Sequence, residues 1–194
     1  MKPLLVLAAF PVVLMGWVSC SHSGTGHAAL PDPRAVDKSV PEYKNPFHPS
    51  TYAHFVARKD YRKTYDVYKD DTLLNRQPKK SRKIFVCLDE QRGQYLVDGL
   101  VAMDFPLSSG VKAYPTKTGD YAVISKKEDH ASNLYGKMYD AEGKCINYNA
   151  ESTDPIPEGG RFDGSPMPYW QRLTNAGLGL HVGKVRRHPV SHGC

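Results

Sequence analysis

Residues 177–194 read GLGLHVGKVRRHPVSHGC, and three of them, His181, His192 and Cys194, are of types that carry proton and acyl chemistry. A cysteine attacks as its thiolate, so a reactive one needs a base or positive neighbours to bring its pKa down from about 8.5. The same stretch supplies His181, His188 and His192, with Lys184, Arg186 and Arg187. His192 is too close in sequence to face the thiol easily, whereas His181 lies across a loop and can fold back towards it. Gly193 permits a sharp turn, after which the N–H groups of Gly193 and Cys194 can point together at a developing oxyanion. A second reading of the same residues is a zinc site built from His181, His188, His192 and Cys194. The chain lacks the paired Cys-x-x-Cys or His-x3-His spacing that makes such a reading strong, and no metal is expected.

His181 needs a rigid element behind it, and LGLHVG reads as a short last strand that delivers it. Upstream, KIFVCLDEQRGQYLVDGLVAMDFPLSSG puts Ile84, Val86 and Leu88 on one side of a strand. It turns near Arg92–Gly93 and again at Asp98–Gly99, the latter a strong hairpin signal. TGDYAVIS adds a strand, with Tyr121 and Val123 alternating against Ala122 and Ile124. Residues 126–168 are polar and rich in Gly and Pro, which predicts long loops over a β scaffold. Before the strands, STYAHFVARKDYRKTYDVYKDDTLL sets Tyr61, Tyr65 and Tyr68 at i, i+4 and i+7, the packing face of a helix over 50–74.

Residues 21–50 contain Pro31, Pro33, Pro41, Pro46 and Pro49, which forbid a continuous helix and predict an extended tether. The start, MKPLLVLAAFPVVLMGWVSC, has the order of an export signal: one Lys, an apolar run too short to span comfortably, then small residues. Ser19–Cys20 resembles the lipobox of bacterial lipoproteins, with Trp17 where an aliphatic residue is usual. The resemblance implies lipidation of Cys20, and Ser21 after it favours an outer membrane if the cell has two. With Cys20 so engaged, Cys87, Cys145 and Cys194 cannot all pair with one another. A Cys87–Cys145 bridge and two buried thiols both remain open. The formal charge is +6, and residues 54–83 hold ten Lys/Arg against four Asp. No aromatic-basic motif accompanies them, so they read as a solvated face suited to anionic envelope polymers, with no nucleic-acid partner expected.

The block MPYWQRLTNAGLGLHVGKVRRHPVSHGC resembles the catalytic signature of the L,D-transpeptidases, the YkuD-domain family. DGLVAMDFPLSSGVKAYPTKTGDYAVIS resembles that family's hairpin, turn and following strand. The resemblance covers residues 81–194 and implies a mainly β, antiparallel β-sandwich with long loops, here preceded by a short helical segment. Residues 1–20 would then be a lipoprotein-type signal peptide and 21–80 the tether with its helical segment.

Carried over residue by residue, the resemblance implies that Cys194 is the nucleophile and His181 its base, oriented through the backbone carbonyl of Val182. Ser191, His192 and Gly193 would form the turn that shapes the pocket and oxyanion site, and Tyr169 a wall of the site. The implied substrate is a peptidoglycan stem peptide, cleaved before its fourth residue, D-Ala, with no cofactor. Membrane contact would come through the lipid anchor. Two rivals share these residues: a carboxypeptidase, and a non-catalytic envelope lipoprotein that binds peptidoglycan. Only nine residues separate His181 from Ser191, a short loop associated with the MPYW branch. The family continues past the cysteine with an aliphatic residue, then Arg or Asn, and further strands. The chain therefore reads as truncated at the catalytic cysteine.

Overall fold

In a computed structural model, residues 32–78 and 81–192 are described. The stretch 1–20 read as an export signal, with Cys20, and Gly193 and Cys194 lie outside the described residues. The chain is mainly β, and its paired strands are antiparallel, as the sequence implies.

The first sheet has the order β1 (Tyr68–Lys69), β4 (Leu100–Pro106), β3 (Arg92–Val97), β2 (Arg82–Cys87). Asp98 and Gly99 connect β3 to β4 with φ of 52° and 86°. Both values are positive, as the two-residue turn that matches strand twist requires, so Asp-Gly here does what its sequence predicts. The preceding turn falls at 88–91 and not at Arg92–Gly93. Gln91 takes the left-handed φ of 50°, and Arg92 already belongs to β3. Gly93 is instead needed for space: a Cβ there would lie 2.5 Å from the Phe105 ring.

Residues 50–74 do not form one helix. Helix α1 spans Tyr52–Ala57, capped by the Thr51 side chain, and α2 spans Asp71–Leu74, capped by Asp70. Between them the chain turns, and the three tyrosines part company. Tyr61 is buried, Tyr65 is exposed, and Tyr68 lies in β1 opposite Asp104. The physical reason is a polar centre that helical periodicity cannot reveal. Asp104 is fully buried and accepts from Arg92 Nε at 2.5 Å, Tyr52 OH at 2.8 Å and Tyr61 OH at 2.9 Å. The Arg92 guanidinium also lies over the Phe55 and Tyr61 rings, 5.2 and 5.0 Å from their centroids. Phe55, Val56 and Tyr61 form the apolar cluster around it. Satisfying a buried ion pair outweighs the few tenths of a kcal/mol per pair that spacing on a helix supplies.

Residues 32–50 contain no helix or strand, as their prolines predict, yet they are fastened down. Lys38 Nζ and Tyr43 OH donate to the Val56 and Ala57 carbonyls, and Arg34 pairs with Glu90 at 3.2 Å.

The stretch 126–168, read as loops, contains a three-stranded sheet. Its order is β7 (Cys145–Glu151), β6 (Ala131–Tyr139), β8 (Arg161–Pro166). Its inward positions are small or few, with Met138 and Ala150 buried, while Leu134, Ile146 and Tyr148 face outwards. Period-two alternation is therefore blurred. Gly136 and Gly164 let strands approach closely: a Cβ on Gly136 would lie 2.1 Å from the Asp163 carbonyl oxygen. Conversely, 119–124 of TGDYAVIS is irregular, and Tyr121, Val123 and Ile124 are exposed. Pairing begins at Ile124, whose N–H donates to the Arg172 carbonyl, and continues through β5 (Ser125–Lys127), which joins β9 (Trp170–Arg172) and β10 (Gly179–Leu180) in the third sheet. No disulfide joins Cys87 to Cys145.

Candidate active site

The third sheet delivers His181. Gly179 and Leu180 pair with Arg172 and Gln171, and His181 follows directly after the strand. Pairing continues one step further, since Val182 N–H donates to the Pro168 carbonyl at 2.9 Å and Tyr169 N–H to that of Glu128 at 2.7 Å. Tyr169 turns the chain with φ of 56°, an uncommon conformation for a residue with a Cβ, and its side chain is exposed. The structure thus brings Pro168–Tyr169 against His181–Val182. Trp170 is buried across Gly179, where a Cβ would meet its ring at 2.4 Å, and its ring centroid stands 6.3 Å from that of His181.

His181 Nδ1 lies 3.0 Å from the Val182 carbonyl oxygen. A carbonyl only accepts, so Nδ1 carries a proton, and Nε2 is the nitrogen whose lone pair is free whenever the ring is neutral. The His130 ring also lies near Trp170, with centroids 5.3 Å apart. Its pKa is pushed below the ordinary value by burial, and further by the positive charges of Lys127 and Arg172. A cleft of about 320 Å³ opens between 126–128 and 169–171. A second, of about 360 Å³, is lined by Asp129, His130, Ala131, Pro166 and Pro168.

From His181 the chain crosses to Ser191, and the PLSSG turn of 106–110 receives it. Ser108 Oγ accepts from the N–H groups of Arg186 and Arg187 at 2.8 and 3.1 Å. The Ser109 carbonyl accepts from those of Val190 and Ser191, and Ser191 O accepts from Val111 N–H at 2.9 Å. An isolated parallel bridge joins Gly110 to Ser191. Ser109 is itself held by Gln91, whose Nε2 donates to Ser109 Oγ at 2.8 Å and whose Oε1 accepts from Ser109 N–H at 2.9 Å. The left-handed turn at Gln91 is what aims that side chain.

His192 stacks on Tyr135, with centroids 4.4 Å apart and planes at 25°, and lies 4.9 Å from the Tyr114 ring. His188 is exposed, with Nδ1 2.9 Å from the Arg186 carbonyl oxygen. Arg187, one of the cations read as neighbours of the thiol, sends its guanidinium to the backbone carbonyls of Arg62, Thr64 and Glu90. The three histidine rings of the zinc reading thus have separate partners. Among the described residues, no group of three or more His, Cys, Asp and Glu is placed to hold a metal ion.

Sequence reasoning passed over Ser108, Ser109, Gln91, Tyr114, Tyr135 and Trp170. The serines and Tyr114 lie in the very stretch, PLSSGVKAY, that resembles a family turn, so a signal existed for them. Gln91 and Tyr135 carried none. What the arrangement offers is an imidazole with a fixed tautomer at the start of a clamped loop, the geometry of a base that takes a proton from a nucleophile brought to it.

Residues 81–194 match the model of the L,D-transpeptidase catalytic domain, YkuD. No curated protein matches the chain. Two solved structures resemble it. One is an L,D-transpeptidase (Yku) from Stackebrandtia nassauensis, at TM-score 0.39 and 22% identity, covering 61% of this chain and 46% of that one. The other is an L,D-transpeptidase from Mycobacterium smegmatis, at TM-score 0.38 and 23% identity, covering 55% of this chain and 44% of that one. The chain therefore spans less than half the length of either.

Proposed function

Because the chain belongs to the YkuD family of L,D-transpeptidase catalytic domains, we propose that it acts on peptidoglycan stem peptides as a cysteine acyltransferase. Cys194 is the nucleophile and His181 the base. The observation that carries this reading is the His181–Val182 hydrogen bond, which engages Nδ1 as donor and so makes Nε2 the nitrogen that can exchange a proton, at the head of the loop that ends in Ser-His-Gly-Cys.

In the proposed cycle, His181 Nε2 takes the thiol proton and the sulfur attacks the carbonyl that joins the third stem residue to D-Ala. The N–H groups of Gly193 and Cys194 receive the negative charge that develops on the carbonyl oxygen. The C–N bond breaks, the protonated imidazole returns its proton to the leaving amine, and D-Ala departs. A thioester remains on Cys194. An acceptor amine then attacks it, His181 again removing the proton; the C–S bond breaks, the imidazolium returns the proton to the Cys194 sulfur, and a 3→3 cross-link or a protein anchor is released. Water in place of the amine gives carboxypeptidase activity. Ser191 and His192, clamped on Ser109 and Tyr135, fix where the turn starts, and Tyr169 forms part of the wall beside His181. We further propose export and lipidation at Cys20, which metabolic labelling with a fatty acid and its loss in Cys20→Ala would test.

The deciding experiment is intact mass after incubation with a disaccharide tetrapeptide, with the adduct mapped by peptide sequencing. A stem adduct on Cys194 with stoichiometric release of D-Ala is expected. Release of D-Ala that survives Cys194→Ala would overturn the assignment.

A further inference from the structure

The loop between His181 and Ser191 is held from two directions, and only one of them lies wholly inside the family-matched residues. Ser108 and Ser109 grip its backbone from the PLSSG turn. The second hold comes from residues 62–65, upstream of residue 81 where the family match begins, together with the Glu90 carbonyl inside it. Arg187 Nη1 donates to the Thr64 carbonyl, and Nη2 to the carbonyls of Arg62 and, at 3.1 Å, Glu90. In the reverse direction, Tyr65 OH donates to the Arg186 carbonyl at 3.2 Å. The two elements are more than 120 residues apart in sequence and exchange donors both ways.

Two features argue that this is more than a chance surface contact. Arg187 holds φ at 58°, a left-handed conformation that is strained for a residue with a Cβ and persists where the surroundings over-determine it. Its guanidinium also shares the Thr64 carbonyl with that of Arg92, whose Nη1 donates there at 3.1 Å. Two cations converging on one oxygen is an unfavourable arrangement. Arg187 is accordingly pushed below its ordinary pKa, chiefly by burial and then by the Arg92 charge. Arg92 is locked to Asp104, and Asp104 to Tyr52 and Tyr61. The turn that receives Arg187 is therefore fixed to the first sheet, and through it so is the loop.

We infer that Arg187 and residues 62–65 form a latch that sets the position of the loop between His181 and Ser191, making Arg187 a positioning residue for acyl transfer. The inference rests on the reading of His181 and Cys194 as the reacting pair. A chain restricted to the family-matched residues lacks half of this latch. Because a misplacement of about 1 Å can cost about 10²-fold in rate, releasing the latch slows chemistry before it loosens substrate binding.

The test uses the full chain with Arg187→Ala, Arg187→Lys and Tyr65→Phe, and Cys194→Ala as reference. It measures acylation by the disaccharide tetrapeptide, kcat against KM, thermal unfolding, and backbone hydrogen exchange. In Arg187→Ala, acylation and kcat should fall about 10- to 100-fold with KM changed less than about threefold. Exchange should quicken over 184–190 and stay unchanged in the Ala131–Tyr139 strand. Arg187→Lys should recover part of the rate, and Tyr65→Phe should lose a few-fold by the same signature. Wild-type acylation in Arg187→Ala, unchanged loop exchange, or a loss matched by uniform faster exchange overturns the latch. If the wild-type chain forms no adduct at all, the functional reading fails, and the exchange data alone decide the latch. Should Arg187→Ala not fold, the same criteria apply to Arg187→Lys and Tyr65→Phe.

Discussion

Replacing Asp104 by Asn should be among the most damaging single changes in the described fold. The substitution keeps shape and an acceptor oxygen but removes the negative charge. The Asp104 and Arg92 side chains are 0% and 1% exposed, so the guanidinium has no water to turn to. Breaking a buried pair by removing one partner costs about 3–5 kcal/mol. Arg92 keeps the carbonyls of Thr64 and Asp66, at 3.1 and 3.0 Å, and the faces of Phe55 and Tyr61, which hold the estimate to the lower half of that range. Tyr52 and Tyr61 still find an oxygen, so little is added for them. About 3 kcal/mol is a large share of the 5–15 kcal/mol that stabilises a typical domain. Urea unfolding followed by far-UV circular dichroism should show the midpoint falling with the slope unchanged. The double variant Arg92→Met/Asp104→Leu removes both charges and should lie well above Asp104→Asn in stability. A loss below about 1 kcal/mol in Asp104→Asn, or a double variant as damaged as the sum of its parts, would refute the reasoning.

Three further outcomes are expected. Cys194→Ala should abolish release of D-Ala and His181→Ala should nearly do so, whereas His188→Ala should be mild; equal losses in all three, measured by the same assay, would favour a metal site. Burial beside the Asp104 carboxylate pushes the Tyr61 phenol up to about 12, and Tyr52 is raised by the same causes. The unfolded tyrosines release protons near pH 10 while the folded ones retain them. Stability should therefore be full below about pH 10 and fall above it, by up to about 1.4 kcal/mol per pH unit for each tyrosine, and Tyr52→Phe/Tyr61→Phe should flatten that limb in denaturant titrations. Gly179→Ala places a methyl 2.4 Å from the Trp170 ring and 2.7 Å from the Gln171 carbonyl oxygen. It should cost about 1–3 kcal/mol, quench or shift Trp170 fluorescence, and lower turnover by moving His181.

A candidate chemistry was legible from residue types, because a thiol, an imidazole across a loop and a glycine turn combine in few useful ways. The block from MPYW to SHGC was specific enough to give the family before any geometry, and Asp98–Gly99 fixed its hairpin because positive φ at two successive positions leaves little choice of residue. The strands of 131–166 were hidden because Gly136, Gly164 and Ala150 pack by backbone proximity and present no apolar stripe. The tyrosines at 61, 65 and 68 misled because periodicity records which side chains share a face only if a helix forms. A buried carboxylate 36 residues or more away in sequence from each of them, Asp104, took Tyr61 out of that register. By itself the sequence determined which groups could react and which turns could bend, since these follow from side-chain chemistry and local backbone sterics. Only the tertiary structure decided which carbonyls Arg187 would reach, which serines would grip the loop and which strands would pair. Those depend on contacts between residues far apart in the chain, whose free energies appear only when the whole fold brings them together.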